Sequence, residues 1–218
     1  MAIVKNSIVL QDATGTIGEF VIKNFRGKKV LGKKPPKHKV SKSKAAVAGR
    51  SNLASTVLIS KNINSFAPLK DIWAISDIEA SSPYQKMMSI NLKKVSNGLL
   101  TTSNLITPGG IPLKLNSAVV QNNILELNFN FPVVDNIRFP ANLFLFLHFN
   151  NYNGTLLKIN SEIAEAAPGG NYNENIPIEG ELKKAFKADA NPIIYIAVVG
   201  AIAHKKKEYW TETASAQI

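Results

Sequence analysis

The chain contains no Cys. Disulfides, thiolate metal sites and cysteine nucleophiles are thereby excluded, while the compartment stays open because disulfide-free proteins occur everywhere. Acidic residues are missing from one long stretch: residues 20–70 hold thirteen Lys and Arg and no Asp or Glu. The 218 residues include 26 basic and 15 acidic side chains, so this stretch carries +13 and the remainder, with 13 basic and 15 acidic, carries −2. The protein therefore reads as a near-neutral body with one strongly cationic segment. No apolar run approaches the ~18 residues of a membrane span. The longest, 192–203, has 12 residues, is rich in β-branched types and reads as a buried strand. The first residues do not form a signal peptide, because Lys5, Asn6 and Ser7 interrupt the apolar run and Gln11 and Asp12 end it. The expected location is the cytoplasm or the inside of an assembly such as a virion.

Reactive chemistry is also scarce. The three histidines, His38, His148 and His204, form no HxxxH pair and no cluster with carboxylates. His148 interrupts an apolar strand, which fits a core or face position better than a metal ligand. Glu162 and Glu165 lie three apart, and Glu179 and Glu181 flank Gly180 in what reads as a loop. Neither pair has a partner that points to acid–base work, and no GxSxG or Walker pattern is present. Gly15 and Gly18 form a GxxG, but no strand–loop–helix context surrounds it, so a plain turn is expected. The reading is a non-enzymatic protein with no cofactor and no metal.

The residues that are present define an order. Residues 2–10 could form a strand, and 13–16 a turn. Glu19 to Phe25 and Lys28 to Gly32, joined by a turn at 24–27, read as a β-hairpin with basic ends. Lys33 to Lys44 (KKPPKHKVSKSK) is extended, since two prolines forbid a helix interior and like charges repel. Ser41 or Ser43 then caps a helix to about Asn64, with Ala46, Val47, Leu53, Ala54, Val57 and Leu58 on its apolar face. Pro68 opens a short helix anchored by Trp73. Ser82-Pro83 starts a third helix running to about Val95, with Met87, Met88 and Ile90 as packing residues and Gly98 as its cap.

From about residue 110 the pattern becomes β. Leu113 to Val120 and Ile124 to Phe131 are strands; in the second, Glu126, Asn128 and Asn130 mark a wet face. Residues 142–150 and 155–159 flank Asn153-Gly154, a strong hairpin signal, and 193–203 and 208–216 flank a Lys turn at 205–207. The expected fold is mainly β with a small helical region. Residues 1–100 would hold a hairpin, a basic arm and helices, and residues 110–218 an immunoglobulin-like β-sandwich that folds without them.

This order of features resembles a known plan. The residues that carry it are the Gly-containing hairpin, the basic Pro segment, the Ser-started helix with Arg50 in its middle, Ser82-Pro83 followed by Asn91-Leu92, and the run Thr107-Pro108-Gly109-Gly110-Ile111-Pro112. Together they are similar to an uncharacterised family of short bacterial proteins, typical of the Bacteroidetes, with a basic N-terminal region and an immunoglobulin-like C-terminal half. The resemblance implies a fold plan over nearly the whole chain. It implies no activity and no catalytic residues.

The candidate binding residues are Lys23, Arg26, Lys28, Lys29, Lys33, Lys34, Lys37, Lys39, Lys42, Lys44 and Arg50. Clustered Lys neutralises phosphates and releases counterions, and the scarcity of Arg favours diffuse backbone contact over base readout. Aromatics are sparse there, with only Phe20 and Phe25, which argues against single-strand recognition by stacking. The first functional expectation is a structural or assembly protein, such as a phage or virion component, whose arm binds a neighbouring subunit or nucleic acid. The alternative is a stand-alone, sequence-nonspecific nucleic-acid-binding protein. A third reading, a carbohydrate- or surface-binding sandwich, is weakened by the presence of only two Trp.

Overall fold

The computed structural model describes residues 2–3, 14–25, 27–36, 40–133, 137–152, 154–189, 191–202 and 208–218, with side chains described for all of these except 2–3, 137–138 and 201–202. It is mainly β, with 41% strand and 26% helix. The chain divides into two compact units, 1–42 and 43–218.

The first unit is a four-stranded antiparallel sheet in the order β1-β4-β3-β2, with β1 Ala2–Ile3, β2 Gly15–Ile17, β3 Phe20–Phe25 and β4 Lys28–Lys33. The β3–β4 hairpin expected from the sequence is present, in register from Phe20 opposite Lys33 to Phe25 opposite Lys28. Gly15 and Gly18 bracket an added strand, β2, where a plain turn was expected. The tight link from Ile17 to Phe20 uses Gly18 at φ 56, a conformation that glycine adopts without a Cβ penalty.

The second unit opens with three helices: α1 Lys44–Asn64, α2 Ala67–Ile75 and α3 Pro83–Leu92. The Ser43 and Ser82 hydroxyls cap α1 and α3 by accepting from Ala46 N and Gln85 N, both at 3.3 Å. The buried side of α1 is Thr56, Ile59, Ser60 and Ile63, whereas Val47 and Leu53 are exposed. The sequence reading had put the apolar side on Val47, Leu53, Val57 and Leu58. Hydroxyl residues hid the true stripe: Thr56 is buried because its Oγ1 donates to Asn52 O at 2.7 Å, which satisfies the hydroxyl inside the helix. Gly98 does not cap α3, which ends at Leu92. It has φ 77, and a Cβ there would lie 1.9 Å from Ser51 Oγ, so this turn needs glycine to approach α1.

Two antiparallel sheets follow. One has the order β5-β6-β9, with β5 Lys114–Gln121, β6 Ile124–Asn130 and β9 Asn171–Pro177. The other has the order β11-β10-β7-β8 with β12 also paired to β10; its strands are β7 Ile137–Phe149, β8 Thr155–Ile163, β10 Ile193–Ile202, β11 Glu208–Trp210 and β12 Ala214–Gln217. The chain crosses between sheets after β6, after β8 and after β9, the plan of an immunoglobulin-like sandwich. Gly154 has φ 63, as the expected hairpin turn requires, and Asn122 and Asn123 turn β5 into β6 at φ 51 and 59. The Lys turn at 205–207 and Asn153 lie outside the described residues.

Besides β2, two elements were not anticipated. β9 reads NYNENIP, poor in strand formers, yet it pairs residue for residue with β6. The stretch around Gly180, expected to be a loop, is helix α4 Gly180–Ala188, with Glu179 at its N-cap and Gly180 at φ 52.

The central strands explain how the layers join. Leu143, Leu145, Leu147 and Phe149 of β7 and Ile194, Ile196 and Val198 of β10 face the other sheet, packing with Leu125, Leu127 and Phe129. The alternate residues, Phe144, Phe146, Tyr195, Ala197 and Val199, pack with Ile59, Ile63, Leu69, Ile72, Trp73 and Met87 from the helices. Burial on both faces is why 192–203 reads as one continuous apolar run. It also moves the division of the chain: the helices share a core with the sandwich, so the boundary falls at 42/43 and not between residues 100 and 110.

Polar side chains fix the link between the layers. Asn91, fully buried on α3, donates from Nδ2 to Leu105 O at 3.0 Å and accepts at Oδ1 from Leu105 N at 2.8 Å. Thr213 Oγ1 accepts from Ile106 N at 2.9 Å and Thr107 N at 3.0 Å. Gly110 lets the following backbone lie against β11: a Cβ there would be 2.5 Å from Trp210 O. Asn91 and Gly110, two of the residues on which the family resemblance rests, thus hold the 100–112 segment in place.

Candidate partner interface

The β3–β4 register sorts the cations by face, because directly opposed residues point to the same side. Lys23 and Lys28 share one side with Val21, Phe25 and Val30, and Lys29 and Lys33 share the other with Phe20, Ile22 and Leu31. Each face is therefore mixed, apolar and cationic together. Lys34 follows the strand, its backbone N–H donating to Glu19 O at 2.6 Å. Lys33 Nζ lies 3.9 Å from Glu19 Oε2, with both side chains about four-fifths exposed (78% and 80%). Such an exposed pair contributes little to stability. Gly18, Glu19, Lys33, Lys34, Pro35 and Pro36 line an open cavity of about 590 Å3.

The apolar content of this sheet is misplaced for a self-sufficient unit. Among the described residues of 1–42 only Ile22 is buried. Ile17, Phe20, Phe25 and Val40 are 50–68% exposed. Units of this size without disulfides or metal usually need association to be stable.

Of the eleven candidate residues, Lys23, Lys28, Lys29, Lys33 and Lys34 are brought together on this sheet, and Lys42 closes the same unit. Lys44 and Arg50 belong to the second unit, on α1. Arg26, Lys37 and Lys39 lie outside the described residues.

The sequence offers Glu162, Glu165, Glu174, Glu179 and Glu181, on the sandwich side, as the acids with which a neighbouring copy could meet the basic arm. β8 and β9, both edge strands, are tied by a bond from Ser161 Oγ to Glu174 Oε1 at 2.5 Å, whereas Glu162, next to Ser161 on β8, alternates to the other face of that strand. Tyr172 OH also donates to Glu174, at 3.2 Å, and Tyr152 OH donates to Glu181 at 2.7 Å. That Tyr152 hydroxyl holds the Glu181 carboxyl below its ordinary pKa, keeping it charged.

Among the described residues no group of three or more His, Cys, Asp or Glu could hold a metal ion, and no helix is long and apolar enough to cross a membrane. His148 is buried at 2% exposure between Leu156 and Ile193, and among the described residues neither ring nitrogen has a partner in hydrogen-bond geometry. Burial holds its pKa below the ordinary value, opposed less strongly by the nearby Asn150 side chain, then the Thr155 backbone and the Asp189 charge. Stability from such a group is fully present above the unfolded pKa of about 6.5 and is lost as pH falls from there toward the lower folded pKa. Thermal melting should therefore drop between pH 7 and pH 5, and His148→Leu should flatten that drop. Equal slopes for parent and variant would remove His148 as its cause.

No known family model matches the chain, and no curated protein is significantly similar to it.

Proposed function

We propose that this is a non-enzymatic assembly protein, a repeated structural subunit whose N-terminal cationic sheet docks on a neighbouring copy. The observation that carries the reading is the sheet of residues 1–42: one buried apolar side chain among those described, several exposed ones, and Lys on both faces. A surface of that composition gains by being covered, and its charge selects an acidic cover. Glu162, Glu165, Glu174, Glu179 and Glu181 of the second unit are the candidate carboxylates for such a cover on every copy. A basic segment ahead of a β-sandwich is a plan shared with shell-forming subunits of virions, which supports the reading by analogy. The exposed Phe20 and Phe25 beside Lys favour a second reading, a nucleic-acid-binding module, since aromatic and cationic groups together hold single strands.

Sedimentation of the nuclease-treated full chain and of residues 43–218 separates the two. Assembly predicts concentration-dependent oligomers of the full chain at low salt, their dissociation at high salt, and a monomer for 43–218. A full chain that stays monomeric at low salt, yet binds single-stranded DNA with a steep salt dependence, would leave the second reading in its place.

A further inference from the structure

The outer face of the three-stranded sheet is built from amides. β6 turns Ile124, Glu126, Asn128 and Asn130 outward, opposite Pro177, Asn175, Asn173 and Asn171 of β9. On the other side of β6 stand Gln121, Val119, Ser117 and Lys114 of β5, with Asn116 at an irregularity in the register. Asn disfavours strands, so this many on one face runs against local propensity, and such departures gather at functional sites.

The amides are also organised. Asn116 Nδ2 donates to Asn128 Oδ1 at 2.7 Å and to Asn130 Oδ1 at 2.6 Å, and Asn128 Nδ2 donates to Asn173 Oδ1 at 2.6 Å. This relay crosses all three strands, about 10 Å at the usual strand spacing. Each amide has two donors and an acceptor with two lone pairs, so the relay leaves hydrogen-bonding capacity directed at solvent. Beside it lies a shallow cavity of about 430 Å3, lined by Ser117, Gln121, Glu126, Asn128, Asn173 and Asn175, with Val119 as a small apolar patch. That volume lies within the range of small-ligand sites, about 300–1,000 Å3.

We infer that this face binds a neutral glycan chain. Hydroxyl groups donate and accept at the same atom, as the amide rows do, and the span of the relay suits a disaccharide unit. Val119, 40% exposed, offers contact to sugar C–H groups. The charge of the cavity argues against a polyanion, since its lining holds one ionisable group, Glu126, and no cation. A second copy of the same face would bury rows of amides around no apolar centre, unlike the core of a stable interface. The inference is independent of the assembly reading, because it uses no residue of the cationic sheet.

The test is affinity electrophoresis of the full chain through gels containing dextran, yeast mannan, xylan or mixed-linkage β-glucan, with heparin as the charged control. At least one neutral polymer should retard the protein. Asn128→Ala combined with Asn173→Ala should weaken that retardation tenfold or more. Asn175→Ala, which leaves the relay intact, should weaken it several-fold. Lys28→Gln with Lys33→Gln should leave it unchanged, and circular dichroism melting checks that each variant is folded. Retardation by heparin alone, by no polymer, or equally for parent and folded Asn variants overturns the inference.

Discussion

A fragment of residues 110–218 should fail to unfold cooperatively, whereas residues 43–218 should melt as a unit. The reason is the second face of the central sheet. Removing the helices uncovers Phe144, Phe146, Leu156, Ile193, Tyr195 and Val199, all buried in the intact unit. Fully burying one large apolar side chain is worth about 1.5–3 kcal/mol. Six of them amount to ~10 kcal/mol, comparable with the whole net stability of a domain at about 5–15 kcal/mol. Tyr195 OH would also lose the Thr101 carbonyl, to which it donates at 2.7 Å. The measurement is a denaturant melt of both fragments followed by circular dichroism. A sigmoidal transition in 110–218 close to that of 43–218 would mean that the helices are an accessory layer.

The second large effect is expected at Trp73. It is fully buried on α2 and its Nε1 donates to Ile106 O at 2.9 Å, so one side chain joins the helical layer to the segment leading into the sandwich. Trp73→Ala should cost about 3–5 kcal/mol, the range for emptying a large aromatic site. Trp73→Phe keeps much of the packing and loses the hydrogen bond; it should cost less, with about 1–3 kcal/mol of that from the stranded carbonyl. Because the chain has two Trp, Trp210 remains to report unfolding by fluorescence in either variant. A loss below about 1 kcal/mol for Trp73→Ala would show that the neighbouring helices close over the gap.

Much of the molecule was legible in its sequence, and the parts that were not share a cause. Ser43, Ser82-Pro83 and Gly154 announce their elements locally, since caps and turns need particular residues at particular positions. β7 and β10 announce themselves through apolar runs. What covers those runs is a tertiary fact, and nothing local told that the helices close one face. The outer face of β9 escaped notice because Asn carries no strand signal; its pairing is made by the backbone against β6. The alternation of Asn171, Asn173 and Asn175 with Tyr172, Glu174 and Ile176 was the available clue, the same period-two pattern that marked β6 as wet on one side. The cationic stretch was visible as composition, and the hairpin turn and the Ser cap already divided it between strands and a helix; that these belong to different compact units was not legible.

The double burial of β7 and β10 also bears on how such a sequence can change. A substitution on an outer strand answers to one neighbour and to water. From Leu143 to Phe149 of β7 and from Ile193 to Val199 of β10 the answer alternates between two separately packed layers, and every one of these positions is buried. Drift in these two strands is therefore confined to swaps that keep volume, and each must be matched either in the helices or in the opposite sheet. The solvent faces of β5, β6 and β9 carry no such obligation. The architecture thus has a slow centre and a fast exterior, and new binding properties can be acquired on the outer sheet without disturbing the strands on which the fold depends.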